Sequence, residues 1–378
     1  MTLFVIIFIT IYTLMHAMVF WGVSPLLHGH RLLTVAIIVW MFFMISAPIL
    51  IHVLDGNGNQ QEARMLAFTG YSWMGFAFLA FSMFTVIAAL EIGRFLFSLA
   101  VADLHRFSFH TVSFSLSIVL IALIASIYGY FEARTIRVEK ISIQTEKIGN
   151  GRDTLRIAQI SDLHLGLIHR EATVAKVLQL LEEINPDMVV ATGDMVDAQI
   201  DHLNGLSDLW KNTDPPLGKY AILGNHEVYA GLGQSLSFLH QSGFTVLRNE
   251  GVTPGNIVKV IGIDDEHVRG FNSDERILLK ENASSLFTIF LKHRPDAPVG
   301  GRLFDLQLSG HAHRGQIFPF NLLTGLRFPM QDGLYSLPEG GRLYASRGTG
   351  TWGPPMRLFS PPEISVFEIS FAKHGKDR

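Results

Sequence analysis

The first 135 residues consist of long apolar runs that are nearly free of charged side chains. Four runs, at residues 3–23, 32–54, 65–90 and 109–131, are long enough to cross a lipid bilayer, which needs about 20 residues per helix. The first run lacks the basic start and the small-residue cleavage site of a signal peptide, and three similar runs follow it. The pattern therefore predicts a transmembrane domain of four α-helices over residues 1–135.

From residue 136 onward, shorter apolar runs alternate with polar segments, as in an ordinary globular domain. Residues 136–144 alternate as a first strand, and residues 171–184 place their apolar side chains on one helical face. That helix connects two strand-like runs, which predicts a β-α-β unit with parallel strands. About ten strands and three or four helices are predicted. We expect residues 136–378 to form an α/β domain, a two-sheet β-sandwich flanked by helices.

Polar side chains follow five of these predicted strands, at the point where each strand ends. The clearest case is the apolar run 220–223, which leads directly into Asn225 and His226. The carboxyl ends of parallel strands meet at one edge of a sheet, where α/β proteins bind ligands, so five such endings predict one site. The residues concerned are Asp162, His164, Asp194, Asn225, His226, His293, His311 and His313.

The types of residue at this site narrow its chemistry. The chain contains no cysteine, which excludes disulfides and thiolate metal sites. Aspartate, asparagine and histidine suit Mn²⁺, Fe or Zn²⁺, and this set exceeds what one ion needs. Two ions that share one carboxylate would clamp the attacking and leaving oxygens of an in-line displacement at phosphorus. The net charge of −3 at pH 7 gives no electrostatic basis for nucleic acid as a partner.

The polar blocks together resemble the signature of the calcineurin-like metallophosphoesterases. The blocks are Asp162 with His164, Asp194 with Asp197, residues 224–227, His293, and residues 310–313. The resemblance covers about residues 136–371 and does not include the membrane half. Residues 310–316 and the tail 346–357 are most similar to a membrane-associated bacterial branch that includes the YkuE- and YaeI-type phosphodiesterases.

The resemblance implies a role for each matching residue. Seven residues would hold two divalent metal ions, with Mn²⁺ expected and Fe or Zn²⁺ as alternatives. One ion would be held by Asp162, His164 and His313, the second by Asn225, His293 and His311, and Asp194 would bridge them. His226 would face the substrate phosphate and protonate the leaving oxygen, unless it only binds substrate. Asp197 would orient His226 and stabilise its charge.

Four arginines are predicted to contact the substrate. Arg294 and Arg314 lie beside metal-ligand positions where the family commonly carries small or apolar residues, so both would add phosphate contacts. Arg347 and Arg357, in the C-terminal tail, would either grip a second phosphate or headgroup bidentately or form structural salt bridges. Glu227 is expected to have a structural role.

Residues 317–330 combine two prolines and a glycine with eight large apolar side chains. The prolines disfavour a helix or a central strand, so a loop is predicted. The connection from the last apolar run is about 20 residues, which would keep the site near the bilayer. We expect this loop to border the site and to contact lipid or a lipid-like substrate, unless it packs on its own core.

Charged residues make up 17% of the chain against roughly 25% in a typical soluble domain, so membrane lipid is an expected partner. Four crossings would place the N-terminus and residues 136–378 on one side. Basic residues near span ends favour that side by five to three. The positive-inside rule then predicts a multi-pass protein of a bacterial inner membrane with a cytoplasmic catalytic domain.

These features predict a membrane-anchored, dinuclear-metal phosphoesterase that hydrolyses a phosphodiester or pyrophosphate bond. The pyrophosphatase that cleaves UDP-diacylglucosamine belongs to the wider family, so a lipid-linked substrate of that kind is an expectation from the resemblance. The alternatives are a phosphomonoesterase, a membrane receptor or transporter with a regulatory metal-binding domain, and a metal-bound scaffold without activity. Sparse membrane charge disfavours the transporter.

Overall fold

The computed structural model describes residues 2–99, 107–197, 203, 205–269, 274–297 and 303–372. The chain divides into two compact units. The first contains Met1–Phe131 together with Gly353–Leu358, and the second contains Glu132–Trp352 together with Phe359–Arg378.

Long apolar helices dominate the first unit. They are α1 (Thr2–Leu27), α2 (Arg31–Gly56), α3 (Gln60–Ser98) and α4 (Val112–Ala133). Each is long and apolar enough to cross a membrane, which confirms the four predicted helices. The buried His16 is fully paired: its Nδ1–H donates to the Tyr12 carbonyl at 2.8 Å, and its Nε2 accepts from the Trp73 indole at 2.9 Å. These bonds indicate a structural role for His16.

The second unit is an α/β sandwich of two six-stranded mixed sheets. The first sheet has the order β1-β12-β2-β3-β4-β5 and the second has the order β10-β11-β9-β8-β7-β6. The strands are β1 (Arg137–Gln144), β2 (Thr154–Ile160), β3 (Met188–Thr192), β4 (Lys219–Ile222), β5 (Thr245–Val246), β6 (Glu250–Val252), β7 (Val258–Gly262), β8 (Phe287–Leu291), β9 (Leu306–Ser309), β10 (Gly333–Ser336), β11 (Arg342–Ala345) and β12 (Glu363–Ser370).

Seven helices accompany these strands in the described part of the unit. They are α5 (Glu171–Ile184), α6 (Leu206–Lys211), α7 (His226–Ala230), α8 (Leu232–Gln241), α9 (Glu266–Arg269), α10 (Glu275–Glu281) and α11 (Phe320–Arg327). One apolar core fills the space between the sheets, where Ile157 and Val190 meet Val260 and Ile289. A second core packs α5, α6 and α8 on the outer face of the first sheet. The predicted sandwich flanked by helices is thus confirmed.

Parallel pairing aligns the strands that matter for the site. In the first sheet β2, β3 and β4 run parallel, with Ile160 beside Ala191 and Thr192 beside Ile222. In the second sheet β7, β8 and β9 run parallel, with Leu291 beside Leu308. The segments that follow these strands therefore leave each sheet at a common edge.

The predicted loop 317–330 is wrong for its central eight residues, which form α11. The two prolines stand at its ends rather than inside it. Pro319 occupies the N-cap, and Pro329 lies two residues beyond Arg327. At these positions proline removes no hydrogen bond from the helix interior, so it limits the helix without breaking it.

Candidate metal centre

Five strands deliver polar side chains to one place in the second unit. The segments after β2, β3, β4, β8 and β9 supply the predicted ligands Asp162, His164, Asp194, Asn225, His293, His311 and His313. All but the partly exposed His311 are buried. Backbone hydrogen bonds connect the segments, since Asp162 N–H donates to Gly193 and His164 N–H donates to Asp194, both at 3.0 Å.

The backbone at the site is held in an uncommon conformation. Five of the ligand residues have φ between +47° and +66°: Asp162, His164, Asp194, His311 and His313. Left-handed conformations of non-glycine residues are unfavourable and cluster at functional sites. Two neighbours must be glycine, because a Cβ at Gly224 would overlap Asp194 Oδ1 and a Cβ at Gly310 would overlap Asp162 Oδ2. The surrounding structure therefore holds these five residues in conformations that they would not adopt on their own.

One group of ligand atoms comes from Asp162, His164 and His313, whose donor atoms lie within 4.8 Å of one another. His313 Nε2 is 3.2 Å from His164 Nε2 and 3.3 Å from Asp162 Oδ1. Burial and nearby positive charge lower the pKa of His164 to about 3. The imidazole is therefore neutral, which is the form that binds metal.

A second group surrounds His293 Nε2. That atom lies 3.1 Å from His311 Nδ1, 3.2 Å from Asp194 Oδ2 and 3.3 Å from Asn225 Oδ1. The other ring nitrogen of His293 donates its hydrogen to the Thr192 carbonyl at 2.8 Å, which directs Nε2 towards these three atoms. His293 Nε2 and these three atoms together offer two nitrogen and two oxygen donors, a set that suits a divalent cation.

Asp194 is shared between the groups. Its carboxylate lies within 4.8 Å of His293 and His311 nitrogens on one side, and within 4.8 Å of His164 and His226 nitrogens on the other. Although burial opposes ionisation, the charges of His293 and His226 hold the pKa of Asp194 well below its usual range. An ionised carboxylate between two nitrogen-rich groups fits a pair of divalent ions that share one oxygen ligand.

His226 and Asp197 form a pair beside these groups. His226 N–H donates to Asp194 Oδ1 at 2.8 Å, and His226 Nδ1–H donates to Asp197 Oδ1 at 3.0 Å. The His226 ring lies 4.6 Å from that of His164. Burial disfavours the charged imidazolium, but the carboxylates of Asp194 and Asp197 raise the pKa of His226 to about 9. A protonated His226 is thus available next to the ligand cluster.

Glu227 ties the loops after β3 and β4 together. Its fully buried carboxylate accepts the backbone N–H groups of Met195 at 2.7 Å, Asp194 at 3.0 Å and Gly224 at 2.7 Å. These bonds position the segments that carry Asp194 and Asn225, in keeping with the structural role expected for Glu227.

A sixth strand also ends in polar side chains that are not among the predicted site residues. Asp265 and His267 follow β7 in the sequence. Asp265 is 5% exposed and accepts from Arg294 Nε at 2.8 Å and from His267 N–H at 3.0 Å. The His267 ring lies 5.9 Å from Tyr229, whose ring is 5.3 Å from His226. The signal used for the other five strands, a polar run after an apolar one, is present here too.

The four predicted arginines lie in different settings. Arg294 pairs with Asp265 next to His293, and Arg314 pairs with Asp332 at 3.1 Å and is the more exposed of the two. Arg347 is engaged by three carboxylates, those of Glu139, Asp332 and Glu363. Arg357 is fully buried in the first unit, and its N–H donates to the Gly129 carbonyl at 2.9 Å. The structure therefore brings Arg294 and Arg314 to the ligand segments, engages Arg347 with carboxylates that include Asp332, the partner of Arg314, and buries Arg357 in the first unit.

Comparison with known proteins gives consistent matches. The family model described as Calcineurin-like phosphoesterase matches residues 155–315. An uncharacterized metallophosphoesterase of Aquifex aeolicus is 41% identical over 256 residues, which cover 66% of this chain and 97% of that protein. A Danio rerio transmembrane protein with metallophosphoesterase domain is 29% identical over 322 residues, 80% of this chain and 74% of that protein. The UDP-2,3-diacylglucosamine pyrophosphatase LpxG of Chlamydia muridarum is 30% identical over 279 residues, 57% of this chain and 84% of that protein.

Proposed function

The chain belongs to the calcineurin-like metallophosphoesterases and is a metal-dependent phosphoric ester hydrolase, and we propose that it cleaves a phosphodiester or pyrophosphate bond with two divalent ions while anchored in a membrane. The observation that carries the proposal is the position of Asp194. Its carboxylate lies within 4.8 Å of nitrogens from both ligand groups, that of His164 and those of His293 and His311, and His226, which pairs with Asp197, lies beside it.

Seven residues would hold the metal ions. Asp162, His164 and His313 would hold one, Asn225, His293 and His311 the other, and Asp194 both. Nitrogen and oxygen donors without sulfur support Mn²⁺, with Fe or Zn²⁺ as alternatives. The ions, when bound, supply positive charge to the substrate phosphoryl group. Asn225 is a neutral ligand, which avoids an extra negative charge next to an anionic substrate.

His226 would donate a proton to the leaving oxygen. Its Nδ1–H is held by Asp197, which fixes the ring and keeps it charged. A general acid of this kind contributes most when the leaving group is a strong base, because such a group leaves poorly without a proton. Arg294 and Arg314 would contact the substrate phosphate or its substituents.

A lipid-linked substrate is the substrate class that we favour. Four helices that are long and apolar enough to span a bilayer support it, as does the likeness to LpxG, which is named for UDP-2,3-diacylglucosamine. We place the catalytic unit on the cytoplasmic side of a bacterial inner membrane, in line with the distribution of basic residues.

The test is hydrolysis by the detergent-purified full chain after metal stripping and Mn²⁺ addition. The substrates are bis(p-nitrophenyl) phosphate, diphenyl phosphate, p-nitrophenyl phosphate and UDP-diacylglucosamine. We expect Mn²⁺-dependent turnover of the diesters and of the lipid. His226→Ala should lower diphenyl phosphate turnover by about 10²-fold or more, and bis(p-nitrophenyl) phosphate turnover by less, since p-nitrophenolate leaves without a proton.

His240→Ala is the matched control, because His240 is exposed on α8 and lies outside the ligand groups. An equal loss on both diesters in His226→Ala would assign His226 to substrate binding instead of proton transfer. Turnover of p-nitrophenyl phosphate alone would identify a phosphomonoesterase. Two bound Mn²⁺ ions by elemental analysis with no turnover of any ester would refute the diesterase and favour a receptor or scaffold.

A further inference from the structure

Helix α11 exposes one apolar face next to the metal centre. None of its eight residues is buried, and the most exposed apolar residue, Leu326, is 81% exposed. Leu323 and Leu326 are separated by three positions, and Leu322 and Leu326 by four, so the three side chains share one face of the helix. Phe318 and Phe320 extend this exposed surface towards the N-terminal end of the helix. Contiguous exposed apolar side chains mark interaction sites.

The apolar surface is continuous with the ligand cluster. Phe328, directly after α11, packs its ring 5.2 Å from that of His311. On the other side Trp352 lies 5.8 Å from His226 and is 53% exposed. The Gln316 amide fixes Trp352 in place, because it donates to the Trp352 carbonyl at 2.9 Å and accepts the Trp352 N–H at 2.8 Å. An amphiphile with its phosphate at the metal centre would thus meet apolar side chains on leaving it.

A short connection joins the second unit to helices that are able to span a bilayer. The first unit has four helices that can span a bilayer, and only three residues separate the end of α4 at Ala133 from the start of β1 at Arg137. A connection this short extends at most about 15 Å. The last turn of α11 also carries Arg327, whose side chain is 62% exposed. Interfacial helices combine such an apolar face with basic residues that contact lipid headgroups.

We propose that α11 inserts its Leu322, Leu323 and Leu326 face into the bilayer interface and so presents lipid headgroup phosphates to the metal centre. The presentation of headgroup phosphates rests on the proposed hydrolase activity, whereas the membrane insertion of α11 does not. The substrate class is then a phosphoester or pyrophosphate of a lipid that stays in the bilayer during hydrolysis. Phe328 and Trp352 line the path between the acyl region and the metal ligands.

The chain contains no cysteine, so each introduced cysteine can be labelled at one known position. The label reports membrane insertion whether or not the protein is active. Single cysteines are introduced as Leu323→Cys and Leu326→Cys, labelled with a nitroxide, and studied in the full chain in nanodiscs of phosphatidylethanolamine and phosphatidylglycerol. Asp208→Cys on α6, where the native side chain is 69% exposed, is the control. The labels on α11 should collide more with oxygen and at least threefold less with a water-soluble nickel chelate than the control label.

Collision with the nickel chelate at the control level would place α11 in water and overturn the proposal. Protection of both α11 labels from oxygen as well as from nickel would mean that protein covers the face, as in a second copy or another partner, and would also overturn it. These outcomes do not depend on whether the metal centre is active.

A second experiment connects insertion to turnover. The triple variant Leu322→Ser, Leu323→Ser, Leu326→Ser removes only exposed side chains, and Ile277→Ser on α10 is the control for loss of an exposed apolar group. The triple variant should hydrolyse UDP-diacylglucosamine in vesicles at least tenfold more slowly, with bis(p-nitrophenyl) phosphate turnover unchanged. Unchanged lipid turnover would refute the role of α11 in presentation. Inserted labels in a protein that hydrolyses neither substrate would instead refute the proposed function.

Discussion

At the metal centre, the hydrogen-bond acceptor of one ring nitrogen determines the role for which a histidine is suited. His293 donates Nδ1–H to the Thr192 carbonyl, which leaves Nε2 as the ring atom that lies among Asp194, Asn225 and His311 and would bind an ion. His226 donates Nδ1–H to the Asp197 carboxylate, whose negative charge favours the protonated ring. Two histidines within one site are thus suited to opposite tasks, metal binding and proton donation, by the oxygen that each one contacts.

Asp197→Asn tests whether the carboxylate keeps His226 protonated for proton donation. The carboxylate helps to raise the pKa of His226, so the amide should lower that pKa. Activity that needs protonated His226 falls as the pH rises through this pKa. The alkaline limb of the kcat/KM profile for diphenyl phosphate should therefore move to lower pH by about 1 unit.

The profile is measured with Mn²⁺-loaded protein between pH 5.5 and 10. Asp208→Asn, on the exposed surface of α6, is the matched control and should keep the wild-type limb. An alkaline limb that stays in place in Asp197→Asn would show that the pKa of His226 does not set it.

Among the secondary-structure elements, the loops after β3 and β4 must be held together for the site to form. Each sheet can align its own strands by backbone pairing, but the turns that carry Asp194 and Asn225 extend beyond the last paired residues. Glu227 supplies the missing connection from the start of α7, where it accepts N–H groups from both turns. A buried carboxylate suits this task because it offers acceptors only.

Glu227→Gln should therefore loosen both turns. The amide keeps the shape of the side chain but replaces one acceptor oxygen with a donor, which would face a backbone N–H. A buried donor without an acceptor costs about 1–3 kcal/mol, so the free energy of unfolding at pH 8 should fall by that amount. Because the turns carry metal ligands, the dissociation constant for Mn²⁺ should rise about tenfold.

Denaturant unfolding and Mn²⁺ titration measure the two effects. Glu183→Gln, on the exposed face of α5, serves as the control and should change neither. Wild-type stability and Mn²⁺ affinity in Glu227→Gln would remove Glu227 from the positioning role.

The sequence predicted elements well where one local pattern decides the structure. Helix α5 has the predicted bounds, Glu171–Ile184, because Val174, Val177 and Leu181 mark one face without competing signals. Helix α11 differs from the predicted loop because its two prolines, which disfavour a helix interior, stand at its ends. The pairing of Arg347 with Glu139 could not be predicted, since it joins residues 208 positions apart with no shared local pattern.

For the chain as a whole, four helices that are able to span a bilayer would impose one membrane topology. The α1–α2 and α3–α4 connections would lie on one side of the membrane, and the α2–α3 connection would share the other side with the catalytic unit. Arg31 and Arg94 would then face away from the catalytic unit, whereas Arg64 and Arg134 would lie on its side. A cytoplasmic catalytic unit follows if the larger number of basic residues is retained inside.

Single cysteines can determine this topology directly, since the chain has none of its own. His30→Cys lies in the exposed α1–α2 connection and Asp208→Cys lies on the surface of the catalytic unit. In bacterial spheroplasts a membrane-impermeant maleimide should label His30→Cys at once and Asp208→Cys only after permeabilisation, because the bilayer would shield the second site. The reverse order would place the metal centre outside the cytoplasm, where cytoplasmic nucleotide-linked lipids cannot reach it. Labelling of both before permeabilisation would put them on the same side and contradict the four crossings.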